Sequence, residues 1–346
     1  MFELRRLGAS DLLVSPVCLG TMTFGQQNGE AEAHAQLDFA VSRGVNFIDT
    51  AELYAVPPAA ETYGATERIV GTWLRRQRRD RIVLATKVVG AGRRLGWIRG
   101  GSPCLDRDNI VAAVHASLER LQTDYIDLYQ LHWPERNQPM FGQWQFDPTN
   151  ERSGTPIREQ LEALKELVDA GKIRHDVLSN VHPWGVSEFL RQAREHGLPR
   201  VATIQNAYNL LNRVFDYGLA ELCHRERVSL MAYSPLAFGH LTGKYLDDAG
   251  APGRVNAFPG FGARYQKPGV PEAVAAYRAL AREAGMSLTR MALSWIYHRW
   301  CVGSTIIGAT SVGQLAENLD AWSGPLPTEL IEAIDALHLR FTNPAP

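Results

Sequence analysis

Short runs of apolar residues alternate along this chain with longer stretches in which apolar residues recur every three or four positions. Short apolar runs bounded by turn residues are typical of buried strands, whereas the longer period is that of helices that pack by one face. Eight such strands are predicted, at residues 17–22, 46–51, 81–88, 124–132, 172–180, 202–208, 229–235 and 304–310. Helical stretches lie between them, among them residues 30–44, 66–77, 109–122, 158–171 and 288–300.

Strands that alternate with helices favour an α/β fold, and eight such pairs favour a closed parallel (β/α)8 TIM barrel. No linker rich in Pro, Gly or Ser divides the 346 residues, so we expect one domain over residues 1–346. The segment at 2–16, "FELRRLGASDLLVSP", precedes the first barrel strand. Its short stretches on either side of residues 8–11 predict an N-terminal β-hairpin that closes the base of the barrel.

Charge and composition exclude several classes of function. With 36 Lys and Arg against 37 Asp and Glu, the formal charge of −1 provides no basic surface for nucleic acid or an anionic membrane. No apolar run approaches the ~20 residues of a membrane helix, and the N-terminus lacks the apolar core of a signal peptide. The cysteines lie far apart and form no CxxC pair, so neither a disulfide framework nor a zinc site is indicated. They are Cys18, Cys104, Cys223 and Cys301. We therefore expect a cytoplasmic protein that acts on small molecules.

Polar residues stand where most of the predicted strands end. The carboxyl ends of the strands form the active-site face of a TIM barrel, so these side chains are expected to meet at one rim. Any one of them has an ordinary explanation as a solvated residue or a hydrogen-bonded core residue, but the repeated set indicates a cleft. In chain order they are Asp49, Lys87, His132, Ser179, Asn180, Gln205, Asn206, Tyr233 and Ser234.

Asp49 lies in the run "GVNFIDTAEL" (44–53), and Tyr54 follows that run directly. A tyrosine hydroxyl, with a pKa near ~10, is a poor acid at neutral pH. A lysine such as Lys87 stabilises the phenolate, an aspartate keeps the lysine charged, and a histidine such as His132 can donate a hydrogen bond to a substrate oxygen. Such a set can protonate a carbonyl oxygen, but none of its members supplies hydride for the carbon. A nicotinamide cofactor is therefore required.

Longer motifs extend over nearly the whole chain. They include "LGTMTFG" (19–25), "FIDTAELY" (47–54), "SLERLQTDYIDLYQLHWP" (117–134), "AYSPLAFGHLTGKY" (232–245) and "IIGATSVGQLAENLDA" (306–321). In this combination the sequence resembles the aldo-keto reductases, most closely their bacterial Tas-like branch. The resemblance implies NADPH-dependent reduction of aldehydes or ketones to alcohols, with hydride from C4 of the nicotinamide.

The same resemblance implies a catalytic tetrad at the rim. Its members in this sequence are Asp49, Tyr54, Lys87 and His132. Tyr54 would protonate the carbonyl oxygen, and His132 would orient the carbonyl group. Lys87, held by Asp49, would lower the pKa of Tyr54.

The resemblance further implies that NADPH or NADP+ lies across the rim. Ser179, Asn180 and Gln205 would bind the carboxamide, and Tyr233 would stack on the nicotinamide ring. Backbone from residues 234–239, with Lys244, would hold the pyrophosphate. The other residues expected around the cofactor are Gly20, Thr21, Asp49, Ser234, Leu236, Gly239, Gly308, Thr310, Gln314, Glu317 and Asn318, the last five at the adenosine end, where a helix begins.

Two places depart from the family pattern. In "KIRHDVLSN" (172–180), Asp176 and Val177 stand where an apolar residue and a glycine are usual. Because side chains alternate along a strand, one of the two faces the helices and the other faces the barrel interior. If the aspartate is buried, we expect it to have a basic partner, a water or a local bulge. At the 2′-phosphate site, where many relatives carry an arginine, this chain offers Ser311 and Gln314. Arg254, in the loop at 247–269, is the candidate to replace that arginine.

Two loops permit more than one interpretation. "GAGRRLG" (90–96) looks like a dinucleotide fingerprint, but its GxGxxxG spacing and the lack of a following helix favour an ordinary loop. The loop at 133–156 carries several aromatic residues that either wall an apolar substrate pocket or only pack the loop down. These residues are Trp133, Phe141, Trp144 and Phe146, to which Trp97 and Tyr54 would add. Aldehydes, ketones and sugar-like carbonyl compounds all stay open as substrates.

Two other functions compete with carbonyl reduction. The first is a non-catalytic NADPH-binding regulatory subunit resembling the potassium-channel β subunits, but such subunits depart from the tetrad histidine, which this chain retains as His132. The second is a metal-dependent barrel hydrolase that uses Asp49 and His132. The strand ends lack the HxH motif or paired carboxylates that a metal would need, so no metal is expected.

Overall fold

The computed structural model describes residues 2–92 and 95–346. Its strands are β1 (Arg5–Arg6), β2 (Leu13–Val14), β3 (Val17–Gly20), β4 (Phe47–Asp49), β5 (Val83–Val88), β6 (Ile126–Leu131), β7 (Ile173–Ser179), β8 (Thr203–Ala207), β9 (Ser229–Tyr233) and β10 (Val302–Ile307). The helices are α1 (Glu30–Ser42), α2 (Ala65–Leu74), α3 (Arg107–Leu121), α4 (Ile157–Asp169), α5 (Pro183–His196), α6 (Leu219–Arg225), α7 (Lys244–Asp247), α8 (Arg254–Ala257), α9 (Val270–Glu283), α10 (Leu288–Tyr297), α11 (Val312–Asp320) and α12 (Thr328–Arg340). Within the same residues, none of the helices is both long and apolar enough to cross a bilayer.

Eight parallel strands close into a barrel in the order β10-β3-β4-β5-β6-β7-β8-β9. Each of them overlaps one of the predicted strands, which confirms the (β/α)8 barrel. Strands β5 and β6 are buried at every position, because one face of each strand packs inside the barrel and the other packs against the helices. Closure therefore brings the carboxyl ends of all eight strands to one rim.

The N-terminal hairpin closes the base of this barrel, as predicted. Strands β1 and β2 pair antiparallel, and the apolar residues Leu7, Leu12 and Val14 pack into the same inner cluster as Phe47 of β4. The turn requires glycine at Gly8, because φ is +57° and a Cβ there would lie 2.0 Å from the Ala202 carbonyl oxygen.

Asp176 is buried in β7 on the side of the helices. Val177 belongs to the inner cluster of the barrel, so alternation directs Asp176 outward. Its side chain is almost fully buried, and Oδ2 has no hydrogen-bond partner among the described residues. The pairing of β7 with β6 is continuous from His175 to Leu178, so the strand has no bulge there, and within residues 2–92 and 95–346 no basic side chain bonds to the carboxylate. Burial raises the pKa of Asp176 to about 6.

This burial makes Asp176 a source of pH-dependent instability. The pKa of Asp176 is higher in the folded than in the unfolded chain, so the fold is more stable while this carboxyl group is protonated. That stability is lost as the pH rises from about 4 through about 6. At pH 8 we expect the free energy of unfolding of Asp176→Ile to be about 1–3 kcal/mol higher than that of the unmodified protein. Urea denaturation at pH 8 and at pH 4.5 measures the gain, which should shrink at the lower pH.

Asp176→Asn is the matched control, because it removes the charge and keeps the shape of the side chain. It should also be more stable than the unmodified protein at pH 8, by less than Asp176→Ile because a polar group stays buried. A large loss of stability in both variants at pH 8 would show that the carboxylate has a structural partner.

Candidate active site

Three strands and the loop after β4 bring the predicted catalytic side chains to the rim of the barrel. Asp49 is the last residue of β4, Lys87 is the penultimate residue of β5, and His132 follows the last residue of β6. Tyr54 lies in the loop after β4, which folds back across the end of β5 because the Glu52 amide donates to the Lys87 carbonyl over 3.2 Å. The polar residues of the second, third and fourth barrel strands thus meet at one place.

Lys87 connects the members of this group. Its ammonium lies 2.6 Å from Asp49 Oδ2, 2.8 Å from the Thr50 carbonyl oxygen and 3.3 Å from the Tyr54 hydroxyl. Lys87 is fully buried and Asp49 almost fully. A buried ion pair with this geometry fixes the ammonium below the phenol, where it stabilises negative charge on the oxygen.

Two glutamine amides hold the other oxygen of the aspartate. Gln130 Nε2 and Gln205 Nε2 donate to Asp49 Oδ1 over 2.7 and 2.9 Å, and Gln205 also donates to Gln130 Oε1. Gln205 was expected at the cofactor carboxamide, but here its amide is directed to Asp49. Gln130 was not predicted. Its signal was a single amide in an apolar strand, two residues before His132 and therefore on the same face of β6.

Glu52 and Arg99 fix the loop that carries Tyr54. Glu52 is fully buried and accepts from the Val89 amide at 2.8 Å, from Tyr63 at 3.1 Å and from Arg99 at 2.6 Å. Arg99 also donates to the Val89 carbonyl. This buried pair joins the loop after β4 to the loop after β5, and sequence reasoning missed it because a glutamate in a loop is usually solvated.

The pKa values of the central pair follow from burial and from each other. Burial raises the pKa of Tyr54 above its ordinary value, while Lys87 acts in the opposite direction and Asp49 adds to the rise. Burial by itself lowers the pKa of Lys87, but Asp49 and Tyr54 together raise it above its ordinary value. Lys87 lowers the pKa of Tyr54, as expected, but burial raises that pKa by more. Tyr54 is therefore a neutral phenol beside a charged ammonium.

Asn180 connects His132 to Tyr233 by hydrogen bonds. The ring of His132 lies edge-on to that of Tyr54, with 5.8 Å between the centroids. Asn180, with a φ of +54°, donates to the His132 carbonyl over 2.9 Å and accepts from the Tyr233 hydroxyl over 2.6 Å. Ser179, at the end of β7, donates to the Gln205 carbonyl over 3.0 Å.

The segment after β9, which was predicted to hold the pyrophosphate, turns sharply. Four residues of this segment have φ between +49° and +95°, so its backbone follows neither a helix nor a strand. They are Ser234, Ala237, Phe238 and Gly239. Such turns make concave sites for anions. A Cβ on Gly239 would lie 3.2 Å from Cε of Lys244, so the lysine lies against this turn. Leu236 closes the turn by accepting from the Gly239 amide.

Arg254 reaches across the opening of the site. Its guanidinium donates to Met22 Sδ over 3.4 Å and stacks over the ring of Phe238 at 5.2 Å. Burial lowers the pKa of Arg254, and Tyr54 acts in the opposite direction. The side chain thus joins the loop after β3 to the loop after β9.

The last strand and helix α11 carry the residues expected at the adenosine end. Ser311 caps α11 by accepting from the Gln314 amide, and Thr310 donates to Gln314 Oε1 over 3.0 Å. Asn318 is buried and donates to the Gly308 carbonyl. The other three expected residues here, Thr310, Gln314 and Glu317, are exposed. The arrangement leaves the N-terminus of α11 open to an anion.

The near side of the site is formed by the end of β3. Gly20 pairs with Asp49, and a Cβ on Gly20 would lie 2.7 Å from Cγ2 of Ile306, so the barrel closes tightly there. Thr21 donates to the Asp49 carbonyl over 2.9 Å. The predicted tetrad, the turn after β9 and the open end of α11 therefore all lie at this rim of the barrel.

Comparison with known proteins identifies the family of this chain. The model of the aldo/keto reductase family matches residues 16–338. The chain belongs to the aldo/keto reductase family. It is 45% identical to Protein tas of Escherichia coli (strain K12) over 345 residues, which cover 99% of this chain and 100% of that protein. An aldo-keto reductase of Babesia bovis is 40% identical over 77% of this chain and 98% of its own length. Norsolorinic acid reductase B of Dothistroma septosporum is 30% identical over 94% of this chain and 78% of its own.

Family membership makes this protein an oxidoreductase of the Tas-like branch. The motif at 90–96 was interpreted as an ordinary loop and not as a dinucleotide fingerprint. Arg93 and Arg94 lie outside the described residues, and the residues on either side, 89–92 and 95–98, form no helix. The first helix longer than one turn after β5 is α3, which begins at Arg107.

Within the described part of the chain, no three His, Cys, Asp or Glu residues are grouped to hold a metal ion.

The aromatic loop at 133–156 lines a wide cleft beside the tetrad. The cleft has a volume of about 1000 Å³, and its wall includes Trp133, Phe141, Trp144 and Phe146. The ring of Trp133 lies 4.9 Å from that of His132 and 6.4 Å from that of Phe141, so it joins the catalytic group to the cleft. Trp97 and Tyr54 are not part of this wall. Tyr54 packs instead against the apolar cluster of Leu53 and Trp133.

Proposed function

We propose that this protein reduces aldehydes or ketones to alcohols with NADPH. The observation that carries the proposal is the chain of contacts from Asp49 through Lys87 to the Tyr54 hydroxyl, with the His132 ring at its edge. A neutral phenol held by a charged ammonium is suited to give a proton and to be stabilised as a phenolate afterwards. The adjoining aromatic cleft provides space for a carbonyl compound.

The residues along the rim fit a dinucleotide of this kind. The turn at Ser234 to Gly239 and the ammonium of Lys244 suit a pyrophosphate, and the exposed N-terminus of α11 suits the adenosine end. Asn180 and Tyr233 stand beside the tetrad, where the nicotinamide would be held. When bound, the cofactor supplies the hydride that reduces the carbonyl carbon.

Each member of the tetrad then has one role in this proposal. The Tyr54 hydroxyl donates its proton to the carbonyl oxygen, which becomes the hydroxyl of the product alcohol. Lys87 stabilises the phenolate that remains, and Asp49 keeps Lys87 charged and in place. His132 donates a hydrogen bond that orients the carbonyl. Gln130 positions Asp49, because it occupies the oxygen that Lys87 does not use.

We expect this protein to bind NADPH at least about tenfold more tightly than NADH, which is the contribution of one charge-assisted hydrogen bond to a phosphate. Arg254 is the cation proposed to make that contact, since no carboxylate among the described residues pairs with it. Quenching of tryptophan fluorescence on titration with each cofactor gives the two dissociation constants. Arg254→Gln should weaken the binding of NADPH and leave that of NADH nearly unchanged.

Turnover is tested with a panel of aldehydes and ketones, followed by the loss of NADPH absorbance. Reduction of at least part of the panel is the expected result. Equal affinities for NADPH and NADH would exclude a 2′-phosphate site at Arg254 without excluding the reaction. Tight NADPH binding without any turnover would instead favour a non-catalytic cofactor-binding protein.

A further inference from the structure

The first part of the loop at 133–156 is joined to the end of β7 by two hydrogen bonds. Gln138 Nε2 donates to the Asn180 carbonyl over 2.5 Å, and the carbonyl of the next residue, Pro139, accepts from His182 Nε2 over 2.9 Å. Gln138 is almost fully buried, yet it also belongs to the wall of the wide cleft. One side chain therefore lies between the cleft and the residue expected at the cofactor carboxamide.

Arg136 determines which way the amide of Gln138 faces. Its Nη2 donates to Gln138 Oε1 over 2.5 Å. A guanidinium only donates hydrogen bonds, and a backbone carbonyl only accepts them. In the opposite orientation the Gln138 amide would place its NH2 group against Arg136 and its oxygen against the Asn180 carbonyl, so neither hydrogen bond would form. Only one orientation of this amide therefore satisfies both neighbours.

The guanidinium of Arg136 is itself held at the start of α5. It lies over the ring of Trp184 at 5.2 Å. A Cβ on Gly185 would lie 2.1 Å from Nη2, so the glycine leaves the space that the guanidinium fills. Burial lowers the pKa of Arg136 to about 10, which keeps the group charged at neutral pH. The donor that orients Gln138 is thus fixed by packing.

Asn180 depends on its contacts because its backbone lies in the left-handed region, with a φ of +54°. Residues other than glycine adopt this region only where the surroundings hold them there. The Asn180 amide donates to the Gln205 carbonyl over 2.9 Å, and Gln138 holds the carbonyl oxygen of the same residue. The side chain of Asn180 then reaches the Tyr233 hydroxyl and the His132 carbonyl.

We propose that Gln138 is a positioning residue, which fixes Asn180 in the conformation that receives the nicotinamide carboxamide, and that Arg136 fixes the amide of Gln138. This inference rests on the proposed function, since it requires NADPH at the rim. Neither Arg136 nor Gln138 was predicted from the sequence as part of the site. Both act through Asn180, so the effect of changing either is expected at the nicotinamide end of the cofactor and not at its adenosine end.

The test compares the binding of NADPH with that of 2′-phospho-ADP-ribose, which has the adenosine and pyrophosphate parts of the cofactor but no nicotinamide. Isothermal titration calorimetry of the full-length protein gives both dissociation constants. In Gln138→Glu the carboxylate can still accept from Arg136 but has no hydrogen to donate to the Asn180 carbonyl. NADPH binding should weaken about 3- to 10-fold, the usual contribution of one hydrogen bond, while binding of 2′-phospho-ADP-ribose stays within about twofold.

Arg136→Met tests the same contacts without changing Gln138. It keeps an apolar chain against Trp184 but removes the donor, so NADPH binding should again weaken while that of 2′-phospho-ADP-ribose does not. Arg136→Lys should restore part of the affinity, because an ammonium also donates hydrogen bonds. Gln145→Glu is the matched control, since it adds the same charge at an exposed position of the same loop. It should leave both dissociation constants within about twofold.

A loss of affinity that is equal for NADPH and 2′-phospho-ADP-ribose would overturn the inference, because it would indicate a general change of the fold. Unchanged NADPH binding in both Gln138→Glu and Arg136→Met would overturn it as well, and so would the same selective loss in Gln145→Glu. If the unmodified protein bound no NADPH, the proposed function would fail together with this inference. A loss confined to NADPH in the Gln138 and Arg136 variants supports it, whether or not a carbonyl compound of the panel is reduced.

Discussion

Tyr54→Phe should lower kcat for carbonyl reduction by about 10² to 10⁴-fold, the usual contribution of a general acid. The variant removes the hydroxyl that lies 3.3 Å from the Lys87 ammonium and keeps the ring that packs with Leu53 and Trp133. The fold and the affinity for NADPH should therefore stay nearly the same. Steady-state kinetics with a substrate from the panel, together with fluorescence titration of NADPH, measures both quantities.

The pH dependence of the unmodified protein belongs to the same prediction. Because burial raises the pKa of Tyr54, the phenol keeps its proton to a higher pH than a free tyrosine does. Reduction should therefore not decline through ionisation of Tyr54 between pH 6 and pH 9. Near-normal turnover by Tyr54→Phe, with NADPH still bound, would show that the proton comes from another group.

Lys87→Met should cause a loss of turnover of similar size and, in addition, a loss of stability. Without the ammonium, the phenolate left by proton transfer has no counter-charge, so Tyr54 becomes a weaker acid. The variant also leaves the Asp49 carboxylate buried without its cation, which typically costs about 3–5 kcal/mol. Kinetics and urea denaturation at pH 8 measure the two effects separately.

The double variant Asp49→Asn with Lys87→Met separates catalysis from folding. A neutral amide at position 49 keeps partners in Gln130 and Gln205 and removes the unpaired charge, so most of the stability should return. Turnover should stay low, because the ammonium beside Tyr54 is still missing. Recovery of turnover together with stability would mean that Lys87 acts only as a structural residue.

Much of this protein could be predicted from local patterns in the sequence. The order of the barrel strands and the hairpin at the base depend on periodicity and turn residues, which are properties of short segments. The position of three predicted catalytic residues at one rim was predictable for a related reason. Asp49, Lys87 and His132 each stand at the end of an apolar run, and a parallel barrel brings all such ends to one rim.

The sequence pattern left the partners of these residues undetermined. Alternation indicates that Gln130 lies on the same face as His132, but only the closed barrel shows that it shares Asp49 with Gln205, a residue 75 positions away. Asp176 was expected to have a basic partner, a water or a bulge. The structure shows an unbroken strand, and the carboxylate has no basic partner among the described residues.

The sequence by itself therefore determined the barrel and the rim at which Asp49, Lys87 and His132 stand, since both follow from the period and the ends of short segments. Tertiary structure decided what surrounds that group. The contacts of Glu52 with Arg99, of Arg254 with Met22 and of Arg264 with Gly142 join loops that follow different strands. No periodicity encodes such contacts, because loop conformation depends on which other loops the closure of the barrel places beside it.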